Sequence, residues 1–310
     1  MRFNEDASLD TSGIEDRRGG GGGGGGALAI GGGGVGVVGL IVFVLVQLLG
    51  GSGSSGTDSS SSGQFGPTLD GLGQGQTANN TAIAQECRKG ADANRSEECA
   101  VVASIDSIQD YWSGQLGNRY QRADTVFFSG STDTGCGSAS SGMGPFYCPA
   151  DKLVYIDLSF YQDLQTRFGA QGGTFVDAYV LAHEYGHHVQ DLLGTESKVQ
   201  AGVTGAKSGS VRLELQADCF AGTWANHAVS VPDRSGQPLI TDITKDDISR
   251  ALDTAGRIGD DYIEKNLGNG QVDPSSFTHG TSTQRQKWFT TGYRTGDPNR
   301  CDTFSATDLG

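Results

Sequence analysis

Two histidines four residues apart, His183 and His187, enclose Glu184 in the stretch "LAHEYGHHVQ", and this spacing constrains the fold more than any other feature. Residues four apart share one face only in an α-helix, so the two imidazoles can reach a single ion only if the stretch is helical. Val180, Leu181 and Val189 surround them, which places that helix in the interior. A buried helix carrying several polar side chains is costly unless something satisfies them. The chain must therefore supply partners from elsewhere, and the nature of those partners decides what the helix is for.

A zinc ion suits two neutral imidazoles and, in catalytic sites, wants a third protein ligand plus water. A metzincin would continue with Gly at 190 and His at 193, but Gln190 and Leu193 stand there. The candidate lies downstream in "LELQADCFAG", where Glu214 and Asp218 share one helical face among Leu213, Leu215, Phe220 and Trp224. Glu214 is the expected third metal ligand. Asp218, one turn on, is expected to accept a hydrogen bond from a ligand histidine and fix its tautomer. Glu184, beside the first ligand, is placed to take a proton from bound water.

The remaining histidines divide by position. His188 points about 100° around the helix from His187 and reads as structural. His227, near the end of its helix, reads the same way. His279, in "FTHGTS", is a catalytic candidate, a proton donor that steadies an oxyanion; Tyr185 could serve instead. Arg285 and Trp288 are expected to pack or pair structurally.

Residues 1–26 are expected to form a cytoplasmic tail ending in a glycine run. Ala27 to Leu49 lacks any charge and is expected to be a transmembrane helix, since about 20 apolar residues span a bilayer. Arg2, Arg17 and Arg18 precede it and the next basic residue is Arg88, so the positive-inside rule puts the N-terminus in the cytoplasm. The acidic N-terminal region and the lack of an Ala-x-Ala site favour an uncleaved single-pass anchor over a signal peptide. Residues 50–80 read as a Gly/Ser-rich linker and 81–310 as one extracytoplasmic domain. A net charge of −14 excludes a nucleic-acid partner.

Six cysteines lie in the expected domain, none at Cys-x-x-Cys spacing, and an exported chain favours disulfides. Among the 15 pairings possible for six cysteines, Cys87–Cys99 and Cys136–Cys148 close short loops, leaving Cys219–Cys301 as a long clamp. Helices are expected from Cys99 to Leu116, from Phe175 to Gly194 with Thr174 and Asp177 as a capping box, and from Val211 to Ala228. Another should begin near Thr244 and carry Ile248, Leu252, Ala255, Ile258 and Tyr262 on one face, and a last one should run from Ser282 to Gly292. Strands are expected at Thr125–Phe128 and Leu153–Leu158, with a Gly/Ser-rich loop at 129–145. The order is an α+β pattern, mostly helical with a small sheet.

"HEYGHHVQ", "ELQADCFAG", the closing "FTHGTSTQRQKWFTTGYRTGDPNRCDTF" and "EDRRGG" before an apolar span together resemble the family called putative neutral zinc metallopeptidases. The resemblance covers most of the chain outside the linker. It implies a zincin-like fold of the gluzincin type, zinc on His183, His187 and Glu214, and Glu184 as base. The expected function is a membrane-tethered zinc peptidase acting on a peptide or protein laid along a strand, with "LVYIDL" as the candidate neighbourhood. The alternatives are a binding protein with a structural zinc and a zinc amidase acting on cell-wall peptides.

Overall fold

The computed structural model describes residues 1–18, 80–233 and 236–310. The expected glycine run, transmembrane helix and nearly all of the linker fall outside these residues. Among the described residues, no helix is long and apolar enough to cross a membrane.

A four-stranded sheet lies beside a group of helices. Its order is β2 (Ile14–Asp16), β3 (Thr125–Phe127), β7 (Leu153–Ile156) and β6 (Phe146–Cys148). The first three strands run parallel and β6 is antiparallel to β7. Between β3 and β6 the chain forms the hairpin of β4 (Ser131–Thr134) and β5 (Gly137–Ser140). A further short pair joins β1 (Arg2–Phe3) to β8 (Ile240–Asp242).

Helices α1 (Thr81–Glu86), α2 (Gly90–Ala93) and α3 (Glu97–Leu116) lie between β2 and β3 in the chain, and α4 (Ser159–Thr166) follows β7. Then come α5 (Thr174–Leu192), α6 (Gly209–His227), α7 (Lys245–Arg257), α8 (Asp260–Asn266) and α9 (Ser282–Thr295). This is the expected α+β architecture. Helix α5 is central: from Phe175 to Gln190 only Asp177 is not buried, and it packs on α3, α6, α7 and β6. Three disulfides join Cys87 to Cys99, Cys136 to Cys148 and Cys219 to Cys301, as the loop lengths favoured.

Four local expectations are corrected. Residues 1–18 are not a separate tail: Phe3, Ala7 and Ile14 are buried in the main core and β2 pairs with β3. Gly173, not Thr174, precedes α5, and no side chain caps that end. The helix that begins after Thr244 keeps its Thr244–Asp247 capping box but stops at Arg257, and a second helix starts at Asp260. The break falls at Gly259, where a Cβ would stand 2.4 Å from the Ser282 nitrogen, so the chain turns there to admit the start of α9. The loop at 129–145 holds the β4–β5 hairpin and leads into the edge strand β6; its small residues hid the pairing.

Candidate metal centre

Helices α5 and α6 bring His183, His187 and Glu214 together, all three buried. Gly186 makes the approach possible, because a Cβ there would lie 3.1–3.2 Å from the Cα, Cβ and carbonyl oxygen of Ala217 on α6. His183 Nε2 lies 3.1 Å from Glu214 Oε2 and 3.2 Å from His187 Nε2, and His187 Nε2 lies 3.5 Å from Glu214 Oε1. A tetrahedral zinc with bonds of about 2.0–2.1 Å has ligand atoms about 3.3 Å apart, so the trio fits that ion.

The outer ring nitrogens determine what the inner ones offer. Gln190 Nε2 donates to the Leu213 carbonyl at 2.7 Å and to Gln216 Oε1, which turns Gln190 Oε1 toward His187 Nδ1 at 2.8 Å. His187 Nδ1 is therefore the donor, and in the neutral ring Nε2 carries a lone pair. His183 Nδ1 donates to Asp218 Oδ1 at 2.9 Å with the same result. Asp218 also accepts from Tyr179 Oη at 2.7 Å and from Arg285 through Nε at 2.9 Å and Nη2 at 3.0 Å. Burial opposes ionisation of Asp218, but Arg285 and His183 hold its pKa below the ordinary value.

Two imidazole lone pairs and a carboxylate thus converge in a buried site, an arrangement that calls for a cation. Without a metal a proton takes the place: burial opposes charge on His183, yet Asp218 and Glu214 push its pKa up to about 10. Burial likewise works against an ionised Glu214, but the histidines hold its pKa well below the usual range.

Two buried polar atoms remain unpartnered beside the trio. Glu184 Oε2 accepts the Tyr147 backbone N–H of β6 at 3.1 Å, and its Oε1 bonds nothing. Burial raises the Glu184 pKa against the pull of His183 and His187. His279 Nε2 is also unpartnered. Its Nδ1 lies 3.0 Å from Asp260 Oδ1, while Asp260 Oδ2 accepts the backbone N–H groups of Thr278, His279 and Gly280. The turn at Gly259 is what aims Asp260 at this loop. Burial opposes charge on His279, and Asp260 and Glu214 raise its pKa.

A largely apolar pocket adjoins His183 and Glu184 and is walled by Phe160, Phe168, Tyr179, Val180, Ile258 and Ile263.

Other candidates are placed elsewhere. Tyr185 Oη bonds Thr125 Oγ1 at 2.8 Å and the Ala123 carbonyl at 3.2 Å, which makes it structural. His188 sits on the Tyr147 hydroxyl and the Gln121 carbonyl, and His227 on the Gly296 carbonyl. The strand expected to lie nearest the substrate, "LVYIDL", is β7, whose two edges pair with β3 and β6; the edge strand beside Glu184 is β6. Sequence reasoning missed Gln190, Tyr179 and Asp260, whereas Arg285 pairs structurally as expected, with Asp218. Gln190 alone left a signal, standing three residues after His187 on one helix.

A family model described as putative neutral zinc metallopeptidase matches residues 1–304. The chain belongs to this family. The family's name implies zinc and hydrolysis of peptides, in keeping with the buried His183, His187 and Glu214. Among its relatives, an uncharacterized protein of Mycobacterium tuberculosis (strain ATCC 25618 / H37Rv) is 52% identical over 226 residues, 73% of this chain and 76% of its own. The uncharacterized protein YpfJ of Escherichia coli (strain K12) is 44% identical over 251 residues, 78% of this chain and 82% of its own. No solved structure matches the chain.

Proposed function

We propose that the chain is an extracytoplasmic zinc peptidase of zincin type, with His183, His187 and Glu214 as ligands and Glu184 as general base. The observation that carries this reading is the convergence of two imidazole lone pairs and one carboxylate at the separations a tetrahedral ion needs, with Glu184 Oε1 left unbonded beside them. A zinc ion held there supplies a water of lowered pKa and polarises the scissile carbonyl.

The chain's own groups do the rest. Asp218, itself fixed by Arg285 and Tyr179, and Gln190 hold the two ligand rings in register. Glu184 takes a proton from the attacking water on Oε1 and passes it to the leaving amine. His279, held by Asp260, presents Nε2 as a donor to the oxyanion. The peptide lies antiparallel along the edge strand β6, where backbone pairing orients it. One apolar side chain next to the scissile bond fills the cavity walled by Phe160, Phe168 and Ile263. The three disulfides support an oxidising compartment.

The test pairs metal analysis of the full chain with hydrolysis of an unbiased peptide library. We expect stoichiometric zinc and cleavage that a chelator abolishes and zinc restores. Glu184→Gln should retain zinc and lose about 10²–10⁴-fold in kcat. Zinc without any chelator-sensitive cleavage would favour a binding protein with a structural ion; cleavage confined to cell-wall peptides would favour the amidase.

A further inference from the structure

Residues 1–18 are joined to the domain by backbone and side chain alike. The Asn94 side chain clamps Phe3 through both its backbone N–H and its carbonyl, at 3.0 and 2.9 Å. The Gly90 and Ala91 N–H groups donate to the Ala7 and Glu5 carbonyls, and the Arg17 N–H donates to the Phe127 carbonyl of β3. A Cβ on Gly90 would lie 1.9 Å from the Asn4 carbonyl oxygen, so this surface is shaped to receive the segment.

The two adjacent arginines are also committed. Arg18 forks to both oxygens of Glu98, at 3.0 Å each, and to Asp16, and stacks over Phe127. Arg17 forks to Glu15 and reaches the Asp133 carbonyl. Glu98 immediately precedes Cys99, which is bonded to Cys87, so the latch sits beside a disulfide.

A single crossing by Ala27–Leu49 would put residues 1–18 and the domain on opposite faces of a hydrocarbon layer about 30 Å thick. A strand hydrogen-bonded into the sheet cannot be there. The signal for a cytoplasmic N-terminus also weakens, because Arg17 and Arg18 are paired with carboxylates instead of being free at the membrane surface.

We infer that residues 1–18 lie on the same, extracytoplasmic face of the membrane as the domain, as an integral strand of its sheet, so that the apolar stretch from Ala27 to Leu49 does not separate them. The inference does not depend on catalysis.

All six cysteines are in disulfides, so an added cysteine is the only free thiol. Full-length chains bearing Glu5→Cys or Gln271→Cys, both exposed positions, would be treated in intact cells with a membrane-impermeant maleimide. The expected result is equal labelling of both without permeabilisation. Labelling at position 271 in intact cells, with position 5 reactive only after permeabilisation, would overturn the inference. Labelling of neither until permeabilisation would keep the two segments together but overturn their extracytoplasmic placement.

A second measurement guards against a variant that misfolds. Ser8 and Lys89 are antiparallel bridge partners, so their Cα atoms are within disulfide reach. The double variant Ser8→Cys with Lys89→Cys should form that bond in cells, seen as a cross-linked peptide by mass spectrometry of the unreduced chain. Two thiols that stay unbonded while the native disulfides form would count against the shared face.

Discussion

His279 and Asp260 are nineteen positions apart in sequence and 3.0 Å apart in space, and the pair makes the oxyanion role testable. Burial opposes a charge on His279, but Asp260 raises its pKa above the ordinary histidine value. The donor form therefore persists to higher pH than in an ordinary histidine and is lost as pH rises through that raised value. Asp260→Asn keeps the shape and removes the charge, so the alkaline limb of the kcat/KM profile should move to lower pH. The acid limb, assigned to Glu184, should stay in place. A stationary alkaline limb in Asp260→Asn would exclude His279 as the titrating donor. Asp218→Asn should cost about 10–100-fold in metal affinity, measured by competition with a chelator, because His183 loses the charged acceptor that fixes its tautomer and an amide N–H replaces one oxygen facing Arg285. His183, Glu184 and His187 were legible in the sequence because helical spacing converts directly into geometry. Asp260 and the partner of Arg285 were not, since each contact is made across a turn or from another helix, and no periodicity records that.

Glycine governs how closely the helices approach. A Cβ on Gly292 of α9 would lie 1.9 Å from the Cys219 carbonyl, and one on Gly222 of α6 would lie 2.2 Å from the Phe289 carbonyl. The backbones of α6 and α9 therefore touch, and that crossing delivers Arg285 to Asp218. Gly186 plays the same part between α5 and α6, at the looser spacing of 3.1–3.2 Å. Gly186→Ala should keep the fold, push the two helices apart by a few tenths of an ångström, and weaken zinc binding at constant secondary structure. Chelator competition together with circular dichroism checks this, and unchanged affinity would mean that Glu214 has slack to spare. Gly292→Ala, with no slack, should destabilise the whole protein, by about 1–3 kcal/mol or more, in urea unfolding. The helices themselves were visible as apolar spacing, and the Thr244–Asp247 box as a capping pattern. The breaks and crossings were not, because a glycine in sequence does not say which backbone it lets in.

For the molecule as a whole, the N-terminal residues are the largest departure from the sequence reading. Phe3, Ala7 and Ile14 are too sparse to show a period, and their partners lie near residue 90, in β3 and in β8, so nothing local marked them as core. Removing residues 1–18 would unpair the β3 edge and strip a cover from the main core. Burial of a Phe or Ile side chain is worth about 1.5–3 kcal/mol, and two are lost besides the strand's hydrogen bonds. That is a large part of the roughly 5–15 kcal/mol by which a domain is stable. A chain starting at residue 81 should therefore melt well below the full chain and aggregate through the open edge, in differential scanning fluorimetry and light scattering. The Ile14→Asp variant of the full chain, which keeps the backbone pairing but buries a charge, should lower Tm in the same direction. If both matched the full chain in Tm and solubility, residues 1–18 would be an attached segment and not part of the fold. The candidate metal site lies by β6, at the opposite edge of the sheet from β2, so a modest loss of stability in Ile14→Asp should leave metal affinity unchanged. That separation lets stability and catalysis be read independently in one variant.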